Sequence, residues 1–417
     1  MRVIASAYAC EPEKGSEPGV GWNWARQIAR FHEVWVITRK NNRAAIEAAL
    51  AKEAVSNVHW VYFDLPRWAS FWKKNRRGVH LYYYLWQIGA YVRVRKLHRE
   101  FCFHLAHHLT FVNYWMPSFM SLLPIPFIWG PVGGGESAPR CFWGAFSRRG
   151  AVYELLRHCA RRIGELDPFV KLSARRAACV LTTTWETKAR VERLGVRHSS
   201  LMSQVGLTEK ELQQLGCMPA RNQPVFRVFS VGTLLHLKGF DLALMAFARL
   251  HATHPRSEFW LLGEGPERAR LQSMTNKLGL GNAVRFFGAV PHAKVLQLFE
   301  EADVLLHPAL HDSGGYASVE AMAAGRPVIC LDLGGPALQV SESNGVKVPA
   351  VSPEQVVQDM AAALCRLAED RVLLARLGEA ARQHVQQQFS WEKKGQALND
   401  LYDRICSGGE SAQSRRN

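Results

Sequence analysis

Paired cysteines are what this chain of 417 residues most plainly lacks. Its nine cysteines, at 10, 102, 141, 159, 179, 217, 330, 365 and 406, are scattered singly and odd in number. There is no Cys-x-x-Cys and no Cys/His spacing that suits zinc. A disulfide scaffold and a zinc module are excluded, and a reducing, cytoplasmic setting is expected. Long apolar runs are missing as well: no stretch reaches the roughly 20 uninterrupted residues of a membrane-crossing helix. The nearest, 111–129, carries Asn113, Pro117, Pro124 and Pro126 and reads as buried helix, loop and strand. The opening MRVIASAYACEPEKG has no charged n-region and no long apolar h-region, so a signal peptide is not expected there. Repeats and low-complexity tracts are absent too.

Acidic residues are scarce in one half only. Residues 1–205 hold 30 Lys and Arg against 14 Asp and Glu, and the remaining 22 of each balance, so the whole surplus of +16 sits in the first half. An acidic partner is expected there. The length exceeds what one hydrophobic core usually serves, which makes two domains the prior. Short β-rich runs alternate with helical patterns. Val3–Ala7, Val34–Thr38, Val58–Phe63, Phe127–Gly130 and Val180–Thr183 are predicted strands, with helices at Gly21–Phe31, Arg43–Ala54 and Lys188–Leu194. The polar, Gly- and Pro-containing stretch 206–224 reads as a linker, after which the alternation restarts over 225–390. Such alternation predicts α/β domains, each a parallel sheet covered by helices. A helix over 391–406 and a disordered tail over 407–417 complete the expected order.

The most informative segment is HPALHDSGGYASVEAMAAGRP, 307–327. Asp312 precedes Ser313, Gly314 and Gly315, and Glu320 follows eight positions after Asp312. Glycines let a ligand approach the backbone, and a helix starting near Tyr316 would turn free amides and its positive dipole end toward the loop. Glu320, about one turn inside, could accept two hydroxyl hydrogen bonds. An acid, seven residues and then Glu resembles the donor-site signature of the retaining glycosyltransferases of family 4. That resemblance covers about residues 1–405 and implies a GT-B fold: two Rossmann-like domains facing across a cleft, the first (1–205) taking the acceptor, the second a nucleotide diphosphate-sugar, with the C-terminal helix crossing back to the first. It implies that Glu320 holds the ribose or donor sugar, Asp312 the sugar hydroxyls, and Gly314 and Gly315 the sugar and phosphate through their amides. The family usually has Glu where Asp312 stands, so this carboxylate reaches about one methylene less far.

Companion motifs follow the family's order. Gly232-Thr233-Leu234 with Lys238-Gly239 matches the turn that holds the donor diphosphate, where a lysine can neutralise a leaving pyrophosphate. Most relatives have an Arg at the Thr233 position. Gly263-Glu264-Gly265-Pro266 ends a strand and suits contacts to the nucleotide base or ribose. In the first half, Glu17 to Trp22, with Gly19 and Gly21, and 130–136, with Gly133, Gly134 and Glu136, lie where the family has cleft-lining glycine loops. His107 and His108 stand near a strand end, and the resemblance implies a histidine beside the reacting sugar, His108 first and His107 in reserve. The chain has no Asp-x-Asp, the metal motif of the other large glycosyltransferase fold. The expectation is therefore a metal-independent, retaining transfer with no cofactor.

The segment 67–100 holds nine Lys/Arg, one acid and eight aromatics. With Arg148, Arg149, Arg157, Arg161 and Arg162 it predicts a peripheral contact with an anionic membrane surface, suited to a lipid-linked glycan acceptor. Nothing resembles a nucleic-acid-binding motif. A nucleotide-sugar epimerase or hydrolase on the same fold, and a non-catalytic binding subunit of a polysaccharide assembly complex, are the alternatives. Thr233 and Asp312 are the only support for the latter.

Overall fold

A computed structural model describes residues 1–417 except 13, 72, 74–77 and 414–417. The chain divides into two units. The first comprises Met1–Gly135, Arg157–Gln204 and Trp391–Asn417; the second, Glu136–Leu156 and Val205–Ser390. The segment 136–156, which the sequence reading gave to the first domain, therefore counts with the second.

The first unit contains β1 (Arg2–Ala7), β2 (Glu33–Thr38), β3 (Val58–Tyr62), β4 (Leu105–Thr110), β5 (Phe127–Val132), β6 (Cys179–Thr182) and β7 (Ser199–Leu201). All pair in parallel in the order β3-β2-β1-β4-β5-β6-β7. Its helices are α1 (Ser16–Ala29), α2 (Arg43–Lys52), α3 (Val79–Phe101), the later part of α4 (Arg148–Leu166), α5 (Pro168–Arg176) and α6 (Trp185–Arg193). In the second unit α7 (Glu209–Gly216) precedes β8 (Phe226–Val231), α8 (Phe240–Thr253), β9 (Ser257–Leu262), α9 (Arg268–Lys277) and β10 (Val284–Gly288). Then come α10 (His292–Leu298), β11 (Val304–His307), α11 (Tyr316–Ala323), β12 (Val328–Leu331), α12 (Gly334–Gln339), β13 (Gly345–Val348), α13 (Pro353–Glu369) and α14 (Arg371–Gln388). This sheet is also parallel, in the order β10-β9-β8-β11-β12-β13. Strands β4, β5, β11 and β12 are buried along their whole length. Helices on both faces of a parallel sheet require this, and it explains why β5, β11 and β12 read as apolar runs without alternation, while β4 buries His107, His108 and Thr110 among its apolar residues.

Both sheets reverse direction in the doubly wound manner, between β1 and β4 in one and β8 and β11 in the other. A crevice at the C-terminal strand ends is the physical consequence, because the crossovers there leave in opposite directions.

Three expectations change. The stretch 206–224 is more than a linker, since Thr208 and Glu211 form a reciprocal capping box that starts α7, and Leu212 and Leu215 enter the second unit's core. The aromatics of α3 serve the interior: Tyr82, Tyr83 and Trp86 are buried among Tyr8, Val112 and Tyr114. Trp72 lies outside the described residues, while Trp68 and Phe71 are exposed. Finally, α15 (Trp391–Gln413) continues past 407, where the sequence predicts a tail. It packs on α1 of the first unit through Trp391 against Trp24, ring centroids 5.1 Å apart.

The start of β11 depends on Asp303, whose side chain is fully buried. Its carboxylate accepts from Arg221 Nη1 at 2.5 Å, Arg371 Nη1 at 2.7 Å and the Arg227 amide at 2.7 Å. Removing one partner leaves a buried charge uncompensated, which typically costs about 3–5 kcal/mol. Asp303→Ala should lower stability by that order in urea unfolding followed through the second unit. A loss under about 1 kcal/mol would show that the arginines find other partners.

Candidate active site

At the C-terminal edge of the second sheet three turns are knitted together through their backbones. The Gly232 amide donates to the Leu262 carbonyl at 3.0 Å, Gly263 to Gly288 at 2.8 Å, and Leu234 to Glu264 at 2.9 Å. Gly263, at φ 143°, must be glycine: a Cβ there would strike the Gly232 carbonyl. Thr233 and Glu264 are exposed at this edge, and Glu264 pairs with Arg268. The chain then makes a short turn, His236–Lys238, closed by Gly239 in the left-handed region at φ 63°. The Leu310 amide donates to Leu237, which ties this turn to the loop after β11.

Lys238 and Asp312 meet across that junction, Nζ to Oδ2 at 2.6 Å. His307 Nε2 lies 3.1 Å from the same oxygen. The other carboxylate oxygen accepts from the Gly314 and Gly315 amides at 3.1 and 3.0 Å. Burial alone would raise the Asp312 pKa, but Lys238 and His307 hold it well below the ordinary value. The four acceptor positions of this carboxylate are thus committed, two to its own loop and two to His307 and Lys238. The amides of Gly314 and Gly315, expected to face a ligand, are spent on Asp312. Asp312 curls back on its loop and accepts from the two amides that precede α11. Gly315 stands at φ 66°, and a Cβ there would press on the Gln339 amide.

Glu320 lies on α11 with its side chain 6% exposed. It faces His292 at the start of α10, Nε2 to Oε1 at 2.6 Å. Burial raises the Glu320 pKa, with His292 opposing, and the hydrogen bond to Glu320 raises that of His292 against the effect of burial. Tyr316, one turn before Glu320, is pushed far up by burial and by the Glu320 charge. His292 and His307 received no role from the sequence, because nothing in the spacing links 292 to 320.

Glu136 also belongs here. It was expected on the acceptor side, yet it is 2% exposed inside the second unit, accepting from Ser313 Oγ at 2.6 Å with His311 Nε2 at 3.6 Å. The reason is packing: Ala138 and Phe142 of the same segment enter the core with Leu234, Leu237 and Phe240, and so carry Glu136 to the donor loop.

The first unit places its candidates differently from expectation. Strand β4 runs on to Thr110, because a register shift against β1 lets Ala7 pair with Thr110. His107 and His108 therefore lie inside the strand, not at its end. The His107 ring contacts Tyr402 Oη at 2.5 Å and the Gly130 carbonyl at 2.7 Å; His108 contacts Tyr83 Oη at 2.7 Å and Gln87 at 3.1 Å. Burial lowers their pKa values to about 4 and about 3, so both are neutral at neutral pH. Gly19 and Gly21 fall within α1, which begins at Ser16; Cβ atoms would strike the carbonyls of Lys14 and Ala9. Glu17 accepts from the amide of Phe111, a non-glycine residue at φ 61° just beyond β4. Gly133 pairs with Asn113, and Gly134 stands at φ 88°. Arg161, counted above with the basic surface, is 2% exposed and points its guanidinium at the Gly134 and Gly135 carbonyls, each at 3.4 Å.

Two doubly wound parallel-sheet units, the second bearing a lysine–carboxylate junction at its switch point, define a GT-B fold. Residues 219–384 match the family model described as "Glycosyl transferases group 1", so the resemblance drawn from the motifs holds in this region. The chain is 30% identical over 214 residues to a D-inositol 3-phosphate glycosyltransferase of Corynebacterium jeikeium (strain K411), covering 49% of each chain. It thus spans about half the length of the curated relatives it matches. In structure it is similar to sucrose-phosphate synthase of Thermosynechococcus elongatus, with TM-score 0.67, 19% identity, and coverage of 98% of this chain and 99% of that one. It is also similar to HepE of Anabaena in complex with UDP and glucose, with TM-score 0.61, 17% identity, and coverage of 96% and 99%.

The His292–Glu320 pair fixes a pH dependence. Because the His292 pKa is raised in the fold, its stabilisation is present below the unfolded value of about 6.5 and is lost as pH climbs through the raised folded value. The melting-temperature gap between wild type and His292→Ala should be widest in mildly acidic buffer and narrow toward mildly alkaline pH. A gap independent of pH would show that the pair is not titrating.

Proposed function

We propose that this chain is a glycosyltransferase that moves a sugar from a nucleotide diphosphate-sugar to a hydroxyl of a glycan acceptor. The observation that carries this reading is the Lys238 ammonium held at the switch point by Asp312, beside the buried Glu320 on the first helix past the glycine loop. A fixed cation at the point where a diphosphate gains charge is the kind of preorganised electrostatic term that lowers such a barrier. Lys238 would meet the leaving diphosphate and Glu320 the ribose or sugar hydroxyls. Asp312 would act through Lys238, whose position it sets. The neighbours bound to UDP and glucose favour a nucleoside diphosphate ligand.

The finer parts of the proposal rest on the sequence. Transfer is with retention and without a metal ion, Lys238 doing the cation's work, and the leaving diphosphate takes the acceptor proton. The acceptor is a lipid-linked glycan of bacterial cell-surface polysaccharide assembly, met at the inner face of the cytoplasmic membrane. The basic surplus of residues 1–205 supports that last step.

The test is a panel of UDP, GDP, ADP and dTDP in thermal shift and calorimetry, with and without Mg²⁺, followed by product analysis with and without acceptor. Stabilisation by one nucleotide is expected by mass action. Lys238→Ala and Glu320→Ala should each cut transfer by roughly 10²-fold or more, as for loss of one strong transition-state contact. Near-normal rates in both would remove these residues from the chemistry. Turnover of donor alone would point to the epimerase or hydrolase reading, and donor binding without any turnover to a non-catalytic subunit.

A further inference from the structure

Helix α4 has its polarity inverted for a surface helix. Val152, Leu155, Leu156, Cys159, Ile163 and Leu166 recur at helical spacing and fall within about 100° of arc. All six are exposed, the first, second, third, fifth and sixth at 55, 56, 63, 70 and 73%. The opposite side carries the polar groups inward: Glu154 is 1% and Arg161 2% exposed. A Cβ at Gly164 would strike the Trp115 carbonyl, so that side lies directly on backbone. A contiguous apolar face of this kind on a soluble protein marks an interaction site.

Charge identifies what it meets. Arg149 and Arg162 border opposite edges of the apolar stripe, and Arg148 stands at its N-terminal end; all three are exposed. The two acids of the helix, Glu154 and Glu165, sit away from the stripe; Glu165 is bonded to Tyr114 and Arg190 and lies 3.5 Å from Arg162, so Arg148 and Arg149 carry the charge that remains at the exposed side. A second copy of this helix would set arginines against arginines with no carboxylate on the exposed side to pair with them. An anionic bilayer answers both features at once: apolar residues enter the acyl boundary while arginines hold headgroup phosphates. No described helix is long and apolar enough to cross a membrane, so the contact is one of lying on the surface.

We propose that α4 is the membrane-seating element of this protein, its stripe Val152 to Leu166 embedded in the interface of an anionic bilayer. This deepens the membrane step of the proposed function and moves it from the α3 aromatics, which are core, to α4. It does not depend on the transfer chemistry.

The experiment is flotation of the whole protein at low salt with vesicles of phosphatidylcholine containing about one-third phosphatidylglycerol, and with phosphatidylcholine alone. Wild type is expected to float with the anionic vesicles. The double variant Leu156→Glu/Ile163→Glu, both positions exposed, should bind at least about ten-fold less with its melting temperature unchanged. Arg148→Gln/Arg149→Gln should lose the preference for anionic vesicles. No flotation of wild type would overturn both this inference and the membrane step. Flotation equal in wild type and the Glu variant would overturn the inference and leave the membrane step standing. A wild-type dimer that the Glu variant splits, with no vesicle binding, would assign the stripe to self-association.

Discussion

Asp312 joins segments 74 residues apart in sequence at the one place where the second sheet opens. One of its oxygens fixes the loop it belongs to, and the other fixes Lys238 on the turn after β8. The remaining geometry follows. With the Gly314 and Gly315 amides satisfied, α11 starts at Tyr316 without a side-chain cap of the usual serine or aspartate kind at Gly315. With α11 fixed, Glu320 points at His292 and not at solvent. A carboxylate so committed favours its ionised form, and its pKa is depressed accordingly: protonation would discharge the ion pair with Lys238.

The doubly wound order was readable because parallel strands covered on both faces leave apolar runs, as in VLLH and VICL, and because glycines mark the turns between them. Strand ends were harder. Whether His108 ends β4 is decided by a register shift between Ser6 and Ala7 on the neighbouring strand, information the local sequence of β4 does not contain. The aromatics of α3 misled for a related reason. Tyr and Trp suit a core and an interface equally, and only tertiary contacts, Tyr83 with His108 of β4 and both rings with Tyr8 just past β1, put Tyr83 and Trp86 inside. The candidate loop Asp312–Gly315 was legible as a pattern, but its chemistry was not. The sequence shows a carboxylate and two amides in proximity and cannot show that they bond to each other.

Chain order also hid a part of the second unit. Residues 136–156 come directly after the first unit's β5 and its glycine run, so a reading along the chain assigns them there. Packing assigns them elsewhere, since Phe142 fills the second core beside Leu237 and Phe240. Two further contacts follow from that insertion: Glu136 accepts from Ser313, and a Cβ at Gly150 would press on the His236 ring. This segment therefore touches both turns that Asp312 joins. A carboxylate buried at 2% would be expensive without a donor, and the Ser313 hydroxyl supplies one at 2.6 Å, with His311 Nε2 3.6 Å away.

The basic surplus of the first half is not all surface, because Arg161 and Arg190 spend their guanidinium groups on the Gly134 and Gly135 carbonyls. The second half is neutral overall, and its key cation, Lys238, is already paired. In the proposed reaction a diphosphate reaching this site therefore competes with Asp312 for Lys238 before it gains anything from it. Where the resembled family pattern implies an arginine, Thr233 offers a hydroxyl and no second charge. In the proposed reaction, ground-state attraction for the donor would thereby be held down, while the lysine would stay in position for the larger charge that develops on the leaving group. Stabilisation that grows toward the transition state, and not uniform binding, is what raises a turnover rate. On this reading the two departures from the family pattern, Asp312 and Thr233, act in the same direction.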